Sequence, residues 1–324
     1  MPLYAAGLAL KNSLRTAGVL PIKKLQWPVV SVGSLSAGGA GKTPVVIALA
    51  ELLKARGWHV DVLTRGYART GTGVERVDPT APDAPRRYGD EPALIARKTG
   101  VPVWVGANRF ESGTIAERQP TSPSEQKSLH LLDDGFQHRQ LARTLDIVLI
   151  TEQDLHDVLL PAGNLREPLS SLRRADVVVL REPERASTEA GVRGLMRPDA
   201  LLWTVRRELR LPNAINPGPK PLAFCAIARP DGFWAMLAQA DCEFVDQVAF
   251  PDHQPYDMVD MDRLVATATE RRATGFLTTE KDAVKLSGLM LQRLQSIGPV
   301  CVAALAATFT DESEVVRELE ARCR

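Results

Sequence analysis

Apolar and polar positions follow a repeating order along this chain, with short apolar runs separated by longer stretches of helical spacing. The run at 29–32 leads into a glycine-rich loop, and apolar residues with helical spacing extend from Pro44 to about residue 56. A second strand-like run covers 59–64, and the alternation continues to about residue 206. Alternating strands and helices are typical of a mostly parallel sheet with helices on both faces. The pattern therefore predicts an α/β fold of the doubly wound kind.

A change of composition divides the chain. Residues 212–220 are rich in proline, which predicts a linker between a first domain over 28–211 and a smaller α/β domain over 221–308. The length of 324 residues is also typical of two domains. Residues 309–324 predict a C-terminal helix that either closes the second domain or packs back on the first.

The segment 1–27 carries basic side chains, no acidic one, and leucines on one helical stripe. The basic residues interrupt the apolar stretch and no small-residue cleavage site follows, which argues against a secretory signal peptide. Two interpretations remain open: a helix packed on the core, or an amphipathic helix on an anionic membrane surface. No apolar run of the chain reaches the roughly 18 residues that span a bilayer.

The stretch 31–44, Ser-Val-Gly-Ser-Leu-Ser-Ala-Gly-Gly-Ala-Gly-Lys-Thr-Pro, has the order of a phosphate-binding P-loop. In such a loop the free N–H groups at a helix start bind phosphate oxygens, the lysine reaches the β- and γ-phosphates, and the threonine holds Mg²⁺. The general motif has glycine where this chain has Ser36, so an ordinary strand–turn–helix is the alternative interpretation. The nucleotide-binding candidates are Ser36, Ala37, Gly38, Gly39, Ala40, Gly41, Lys42 and Thr43.

Two adjacent carboxylates, Asp133 and Asp134, follow the apolar run at 129–132. An acid at the tip of a strand beside a P-loop helps to hold Mg²⁺, although such a pair can equally cap a turn. Ligands of doubly wound sheets bind beyond the carboxyl ends of the strands. We therefore expect Lys42, Asp90 and Asp133 to meet at this edge of the sheet.

Composition narrows the class of protein. Hydrophobic residues make up 44% of the chain and charged residues 24%, as in ordinary globular proteins. The net charge of +1 argues against nucleic-acid binding, which needs a basic face. The four cysteines form no C-x-x-C pair, which favours reduced thiols in a cytoplasmic protein over disulfides or a zinc site.

Eight ordered motifs, spread over nearly the whole chain, resemble the tetraacyldisaccharide 4′-kinase family, the lipid A biosynthetic kinases of Gram-negative bacteria. That family usually has threonine or serine at the position of Ser36. The motifs are the P-loop stretch at 31–44, Thr-Arg-Gly-Tyr (64–67), Gly-Asp-Glu-Pro (89–92), Leu-Asp-Asp-Gly-Phe-Gln-His (132–138), Pro-Ala-Gly-Asn-Leu-Arg-Glu-Pro (161–168), Ala-Ile-Ala-Arg-Pro (226–230), Phe-Pro-Asp-His (250–253) and Thr-Thr-Glu-Lys-Asp-Ala-Val-Lys (278–285).

The resemblance implies transfer of the ATP γ-phosphate to the 4′-hydroxyl of a tetraacylated glucosamine disaccharide 1-phosphate, giving lipid IVA. ATP and Mg²⁺ are the implied cofactors. A peripheral position on the cytoplasmic face of the inner membrane is implied as well, because the acyl chains of the substrate stay in the bilayer. This favours a membrane-surface helix for residues 1–27. We further expect a monomer.

The resemblance also implies roles for two residues that the local sequence around them does not indicate. By itself, Asp90 is best interpreted as a helix N-cap and His253 as a surface loop residue. The family match instead places a catalytic aspartate at Asp90, working with His253. These residues belong to different predicted domains, so we expect a site that is completed when the domains close.

Four further residues are substrate-binding candidates. Arg166 and Glu167 are expected to line the same cleft. Arg166 is a candidate clamp for a phosphate or the substrate, because its planar guanidinium suits oxyanions; a surface ion pair is the alternative interpretation of Arg166. Asn108 and Arg109 are candidates by similarity alone. Lys281 and Asp282 are adjacent and so lack the spacing of the guanine-reading motif of GTPases.

Two rival functions stay open at this point. One is a P-loop kinase that acts on another lipid or small acceptor. The other is a nucleotide-driven membrane switch related to the ParA-like ATPases. Those ATPases carry a second lysine early in the loop where this chain has Ala37, which argues against the switch.

Overall fold

The computed structural model describes residues 21–120, 127–211 and 218–323. Within these ranges the chain builds one continuous twelve-stranded sheet in the order β10-β9-β11-β12-β8-β7-β6-β1-β5-β2-β4-β3. The strands are β1 (Val29–Ser34), β2 (Trp58–Thr64), β3 (Glu75–Arg76), β4 (Val103–Val105), β5 (Lys127–Asp133), β6 (Leu145–Leu149), β7 (Val177–Arg181), β8 (Leu201–Arg210), β9 (Pro221–Cys225), β10 (Asp246–Ala249), β11 (Gly275–Thr279) and β12 (Val300–Phe309). Neighbouring strands are parallel except β3 with β4 and β8 with β12. The predicted fold class is thereby confirmed.

Helices cover both faces of this sheet. They are α1 (Lys42–Lys54), α2 (Ala84–Tyr88), α3 (Asp90–Thr99), α4 (Arg109–Ala116), α5 (Glu152–Leu155), α6 (Arg185–Arg193), α7 (Pro230–Gln239), α8 (Met258–Glu270), α9 (Glu280–Ala283), α10 (Gly288–Gln295) and α11 (Glu312–Arg322), with 3₁₀ helices at Leu169–Arg174 and Glu182–Glu184. One core cluster combines β1 with α1, α3 and α11, and a second packs α6 and the first 3₁₀ helix on the opposite face. None of the helices in the described ranges is long and apolar enough to cross a membrane.

The strand β12 joins the two halves of the chain. Its residues 300–303 pair in parallel with β11, whereas its residues 304–309 pair antiparallel with β8. The two predicted domains therefore share one sheet. Residues 212–217 of the predicted linker, and residues 1–20 of the predicted N-terminal helix, lie outside the described residues.

Two stretches differ from the sequence-based expectation. The polar segment at 68–87 is rich in proline and glycine, which predicts a long loop. It contains β3 and the start of α2 instead, and Arg87 pairs with Glu75 there at 2.6 Å. The strand β8 is absent from the prediction because its second half, residues 206–210, is mostly charged. It forms nonetheless, because its first half pairs with β7 and its charged second half pairs with β12.

The centre of the sheet depends on a close backbone approach. All residues of β1 are buried, and a Cβ on Gly33 would lie 2.5 Å from the Cβ and 2.9 Å from the backbone N of Phe136. Only glycine leaves room for the turn that follows β5 to cross here. This crossing brings Asp133 and Asp134, at the end of β5, beside the loop that follows β1.

We expect Gly33→Ala to lower the free energy of unfolding by about 1–3 kcal/mol, because the added methyl group meets the backbone of Phe136. Gly288→Ala is the matched control, since a Cβ at Gly288 meets nothing within 4 Å. Urea unfolding of both variants tests this. Equal stability of the two variants would contradict the assigned packing.

Candidate active site

A cavity of about 880 Å³ opens at the carboxyl ends of the central strands. The first half of the chain lines it with residues 37–44, with the ends of β2 and β5, and with the start of α3. The second half contributes residues 227–229, residues 252–253 and residues 279–281. The two halves of the chain therefore face each other across one space.

The glycine-rich loop forms one wall of this cavity. Gly39 and Gly41 have positive φ angles of 74° and 91°, which glycine adopts without strain. The Nζ atom of Lys42 lies 3.2 Å from Ser34 Oγ and 3.3 Å from an oxygen of Asp134. Ser36 does not line the cavity; it is fully buried beneath the loop, and its carbonyl accepts a hydrogen bond from Ser34 Oγ.

The carboxylates of Asp133 and Asp134 have opposite electrostatic environments. Both oxygens of Asp134 accept hydrogen bonds from Arg166, at 2.7 Å each. Burial opposes ionisation of Asp134, but Arg166 and Lys42 outweigh it and hold its pKa well below the usual range. Burial raises the pKa of Asp133 to about 7, with the charges of Glu91 and Asp134 adding to the effect. A cation beside Asp133 would therefore be strongly favoured.

Asp90 and His253 meet across the cavity. The Nδ1 atom of His253 lies 3.1 and 3.0 Å from the two oxygens of Asp90, which is the first residue of α3. Burial tends to raise the pKa of Asp90, but the hydrogen bond with His253 and the charge of Lys281 lower it overall. The hydrogen bond with Asp90 in turn raises the pKa of His253.

Lys281 is a site residue for which the sequence analysis assigned no role. Its Nζ atom lies 3.2 Å from His253 Nε2, 3.2 Å from Glu91 and 3.5 Å from Asp252. Because an ammonium group can only donate, this contact favours the histidine tautomer whose hydrogen is on Nδ1. That hydrogen then points at Asp90. The signal for Lys281 in the sequence was its place in the motif at 278–285.

The substrate-binding candidates are not all in the cavity. Arg166 and Arg109 line it, and burial lowers the pKa of Arg109. Glu167 instead turns inward, where it is buried and pairs with Arg174 at 2.8 Å. Asn108 caps α4 by accepting a hydrogen bond from the backbone of Glu111, and it does not line the cavity.

Two more side chains that the sequence analysis did not single out border the site. The ring of Tyr67 lies 5.1 Å from that of His253, and Gln137 donates a hydrogen bond to the carbonyl of Ser34 at 3.0 Å. Both belong to segments of the motifs at 64–67 and 132–138. Tyr67 follows β2 and Gln137 follows β5, and the pairing of these two strands brings both side chains to the site.

A glycine-rich loop that opens a helix, a lysine at its end and carboxylates on the adjacent parallel strand together define a P-loop nucleotide-binding protein. The family model described as Tetraacyldisaccharide-1-P 4′-kinase matches residues 2–324. The chain therefore belongs to the tetraacyldisaccharide 4′-kinase family.

Individual relatives agree with this assignment. The chain is 40% identical to the tetraacyldisaccharide 4′-kinase of Koribacter versatilis over 324 residues, which cover 98% of this chain and 95% of the relative. It is 38% identical to that of Aquifex aeolicus, with 88% of each chain covered. A crystal structure described as the apo form of LpxK from Aquifex aeolicus in complex with ATP matches with a TM-score of 0.75 and 32% identity, covering 99% of this chain and 96% of that one.

The pKa of His253 should shift in opposite directions when its two charged neighbours, Asp90 and Lys281, are removed in turn. Asp90→Asn removes the carboxylate that raises it, so the pKa should fall; Lys281→Met removes the cation that lowers it, so the pKa should rise. Imidazole NMR titration measures both. Asp199→Asn, at an exposed carboxylate outside the cavity, is the control. Shifts of the same sign in both variants would refute the arrangement.

Proposed function

We propose that this chain transfers the γ-phosphoryl group of ATP to the 4′-hydroxyl of a tetraacylated glucosamine disaccharide 1-phosphate, forming lipid IVA. Family membership supports the choice of acceptor. The observation that carries the proposal is the Asp90–His253 pair, which faces the P-loop across a single cavity. A phosphoryl donor and a proton acceptor on opposite walls are what this transfer needs.

The nucleotide would lie along residues 37–43, whose backbone lines the cavity at the start of α1. The free N–H groups and the dipole of a helix start attract phosphate oxygens. Lys42 would neutralise charge on the transferred group, and its present partner Asp134 keeps its ammonium group pointed into the cavity. The matched structure of the Aquifex relative, which is described as holding ATP, supports ATP as the donor.

The residues proposed to hold Mg²⁺ are Thr43, Asp133 and Asp134. The raised pKa of Asp133 supports a cation at this position, because a buried carboxylate crowded by other acids is stabilised by positive charge. The described residues contain no group of three or more His, Cys, Asp or Glu that could hold a metal ion. The two carboxylates at this site suit Mg²⁺, which is usually bound by one or two carboxylates together with substrate phosphates. When bound, Mg²⁺ would supply charge neutralisation on those phosphates.

Asp90 is proposed to accept the proton of the attacking 4′-hydroxyl. Its lowered pKa supports an ionised carboxylate at neutral pH, which is the state that a base needs. As the hydroxyl oxygen bonds to the γ-phosphorus, its O–H bond breaks toward Asp90, and the bond to the β-phosphate oxygen breaks to release ADP. His253 would orient Asp90 and Lys281 would hold the tautomer of His253.

The site is proposed to be complete only when the two halves are closed, as they are in this structure. Three contacts from α3 to the second half support this: Asp90 with His253, Glu91 with Lys281, and Lys98 with Glu280 at 2.8 Å. A single helix thus carries the proton acceptor and the ion pairs that would hold the halves together.

We also propose that the protein acts at the cytoplasmic face of the inner membrane. The acyl chains of the proposed acceptor stay in the bilayer, so the enzyme has to reach its hydroxyl at the surface. Residues 1–20 are the proposed membrane-surface segment, because residues 21–27 of the predicted helix are not helical and pack on the protein, with Leu25 buried in a core cluster. Residues 1–20 carry basic residues without acidic ones, which suits anionic lipid.

The test is transfer of radiolabelled γ-phosphate to the tetraacyldisaccharide 1-phosphate. Asp90→Asn should lower kcat by about 10²–10⁴, the usual contribution of a general base. Lys42→Met should lower it by about 10²–10³, as loss of a transition-state charge partner does. Asp262→Asn, an exposed carboxylate on α8 that pairs with Arg293, is the control and should keep wild-type activity.

Other results would point to the rival functions. Labelling of a different lipid or sugar, with none of the disaccharide, would move the acceptor assignment to another kinase substrate. ATP hydrolysis that is independent of any acceptor but coupled to membrane binding would instead favour a ParA-like switch. Full activity of Asp90→Asn would overturn the assigned proton acceptor.

A further inference from the structure

Arg207 is a half-buried cation that forms no ion pair with a carboxylate of the described residues. It lies on β8 and lines the cavity at the P-loop, where a Cβ added to Gly41 would be 3.8 Å from its Nη1 atom. Its only hydrogen-bond partner among the described residues is the sulfur of Met236, at 3.5 Å. The Nε atom is buried and has no partner within the described ranges.

The surroundings of Arg207 make this cation unfavourable unless an anion lies beside it. It lies beside the start of α1, where the helix dipole is positive. Burial is the largest cause that lowers the pKa of Arg207, to about 10; the charges of Arg181 and Arg229 lower it further, whereas the nearby Glu184 raises it. A buried charge normally has a partner of opposite sign. A bound anion would balance this group of charges.

The two neighbouring arginines already have other contacts. Arg181 pairs with Glu184 at 3.0 Å, and its Nη2 atom donates to the carbonyl of Gly39 at 2.8 Å. Arg229 packs on Gly39 and lies 3.7 Å from Asp154. These contacts tie Arg181 and Arg229 to the loop and to carboxylates, whereas Arg207 has no such contact among the described residues.

The order of the strands places Arg207 on the other flank of the loop from Lys42. The contacts of Lys42 and Asp134 lie toward β5, on one side of β1, whereas β6, β7 and β8 lie on the other side. A polyphosphate that runs along the loop would pass both flanks. Lys42 would then meet it from one side and Arg207 from the other.

We propose that Arg207 is a second phosphate-binding residue of the nucleotide site, which contacts the phosphate chain on the β8 flank of the loop. The ligand is a nucleoside di- or triphosphate. The assignment rests on the proposed function only in that ATP is the donor. The 1-phosphate of the acceptor is the other possible anion, and the experiment separates the two.

The test compares Arg207→Met with Arg206→Met. Arg206 is the next residue on the same strand, but it is exposed and pairs with Glu182 at 2.6 Å, outside the cavity. Calorimetric titration with ADP should give a dissociation constant about tenfold or more higher for Arg207→Met, the usual effect of losing a charge-assisted hydrogen bond. Arg206→Met should match the wild type. Arg207→Lys, which keeps the charge, should fall between.

Thermal unfolding distinguishes binding from a structural role. In the absence of nucleotide, Arg207→Met should be as stable as the wild type or more stable, because it removes a cation without a carboxylate partner from between two others. The stabilisation produced by saturating ADP should shrink in the same variant. A lower melting temperature of the nucleotide-free variant, with unchanged ADP affinity, would overturn the proposal.

The transfer assay, run on the same samples, distinguishes a failure of this proposal from a failure of the proposed function. A raised KM for the acceptor with unchanged ADP affinity would assign Arg207 to the acceptor phosphate and overturn the nucleotide assignment. Tight ADP binding by the wild type without labelling of the disaccharide would refute the proposed acceptor. In that case a weakened ADP affinity of Arg207→Met would still support Arg207 as a phosphate-binding residue of the nucleotide site.

Discussion

Carboxylates crowd together at one edge of the sheet, and the site depends on how their charges are balanced. Asp134 is neutralised from within the first half of the chain, by Arg166 and Lys42. Asp90 is neutralised from the second half, by His253 and Lys281. The electrostatics of the site thus tie the two halves together, and Asp133 is the acid left for a further cation.

Local sequence patterns predicted the class of fold and the P-loop because each signal is contained in a few consecutive residues. Strand β1, the turn with positive φ at Gly41 and helix α1 all follow from one stretch of chain. The antiparallel pairing of β8 with β12 could not be predicted in this way, because β8 is mostly charged in its second half and is held by partners about 100 residues away. Long-range pairing overrides local propensity there.

The candidate site was predicted unevenly for the same reason. The residues alone favoured a helix cap for Asp90 and a surface loop for His253, and only the family resemblance paired them. Glu167 follows Arg166 directly, yet its side chain points to Arg174 and the interior. Both residues lie in a bend before the first 3₁₀ helix, where no regular period predicts the direction of a side chain. The partners of Lys281 and Arg207 come from distant parts of the chain, and no local sequence pattern indicates such contacts.

The shared strand β12 restricts how the cavity can open. Its backbone hydrogen bonds run to β11 on one part and to β8 on the next, so the halves cannot be pulled straight apart without breaking the ladder. The cavity can therefore open only by twisting and bending of the two halves about this strand. Such motion widens the rim near α3 while the floor of the cavity stays closed, so a bulky amphiphile would enter from the rim.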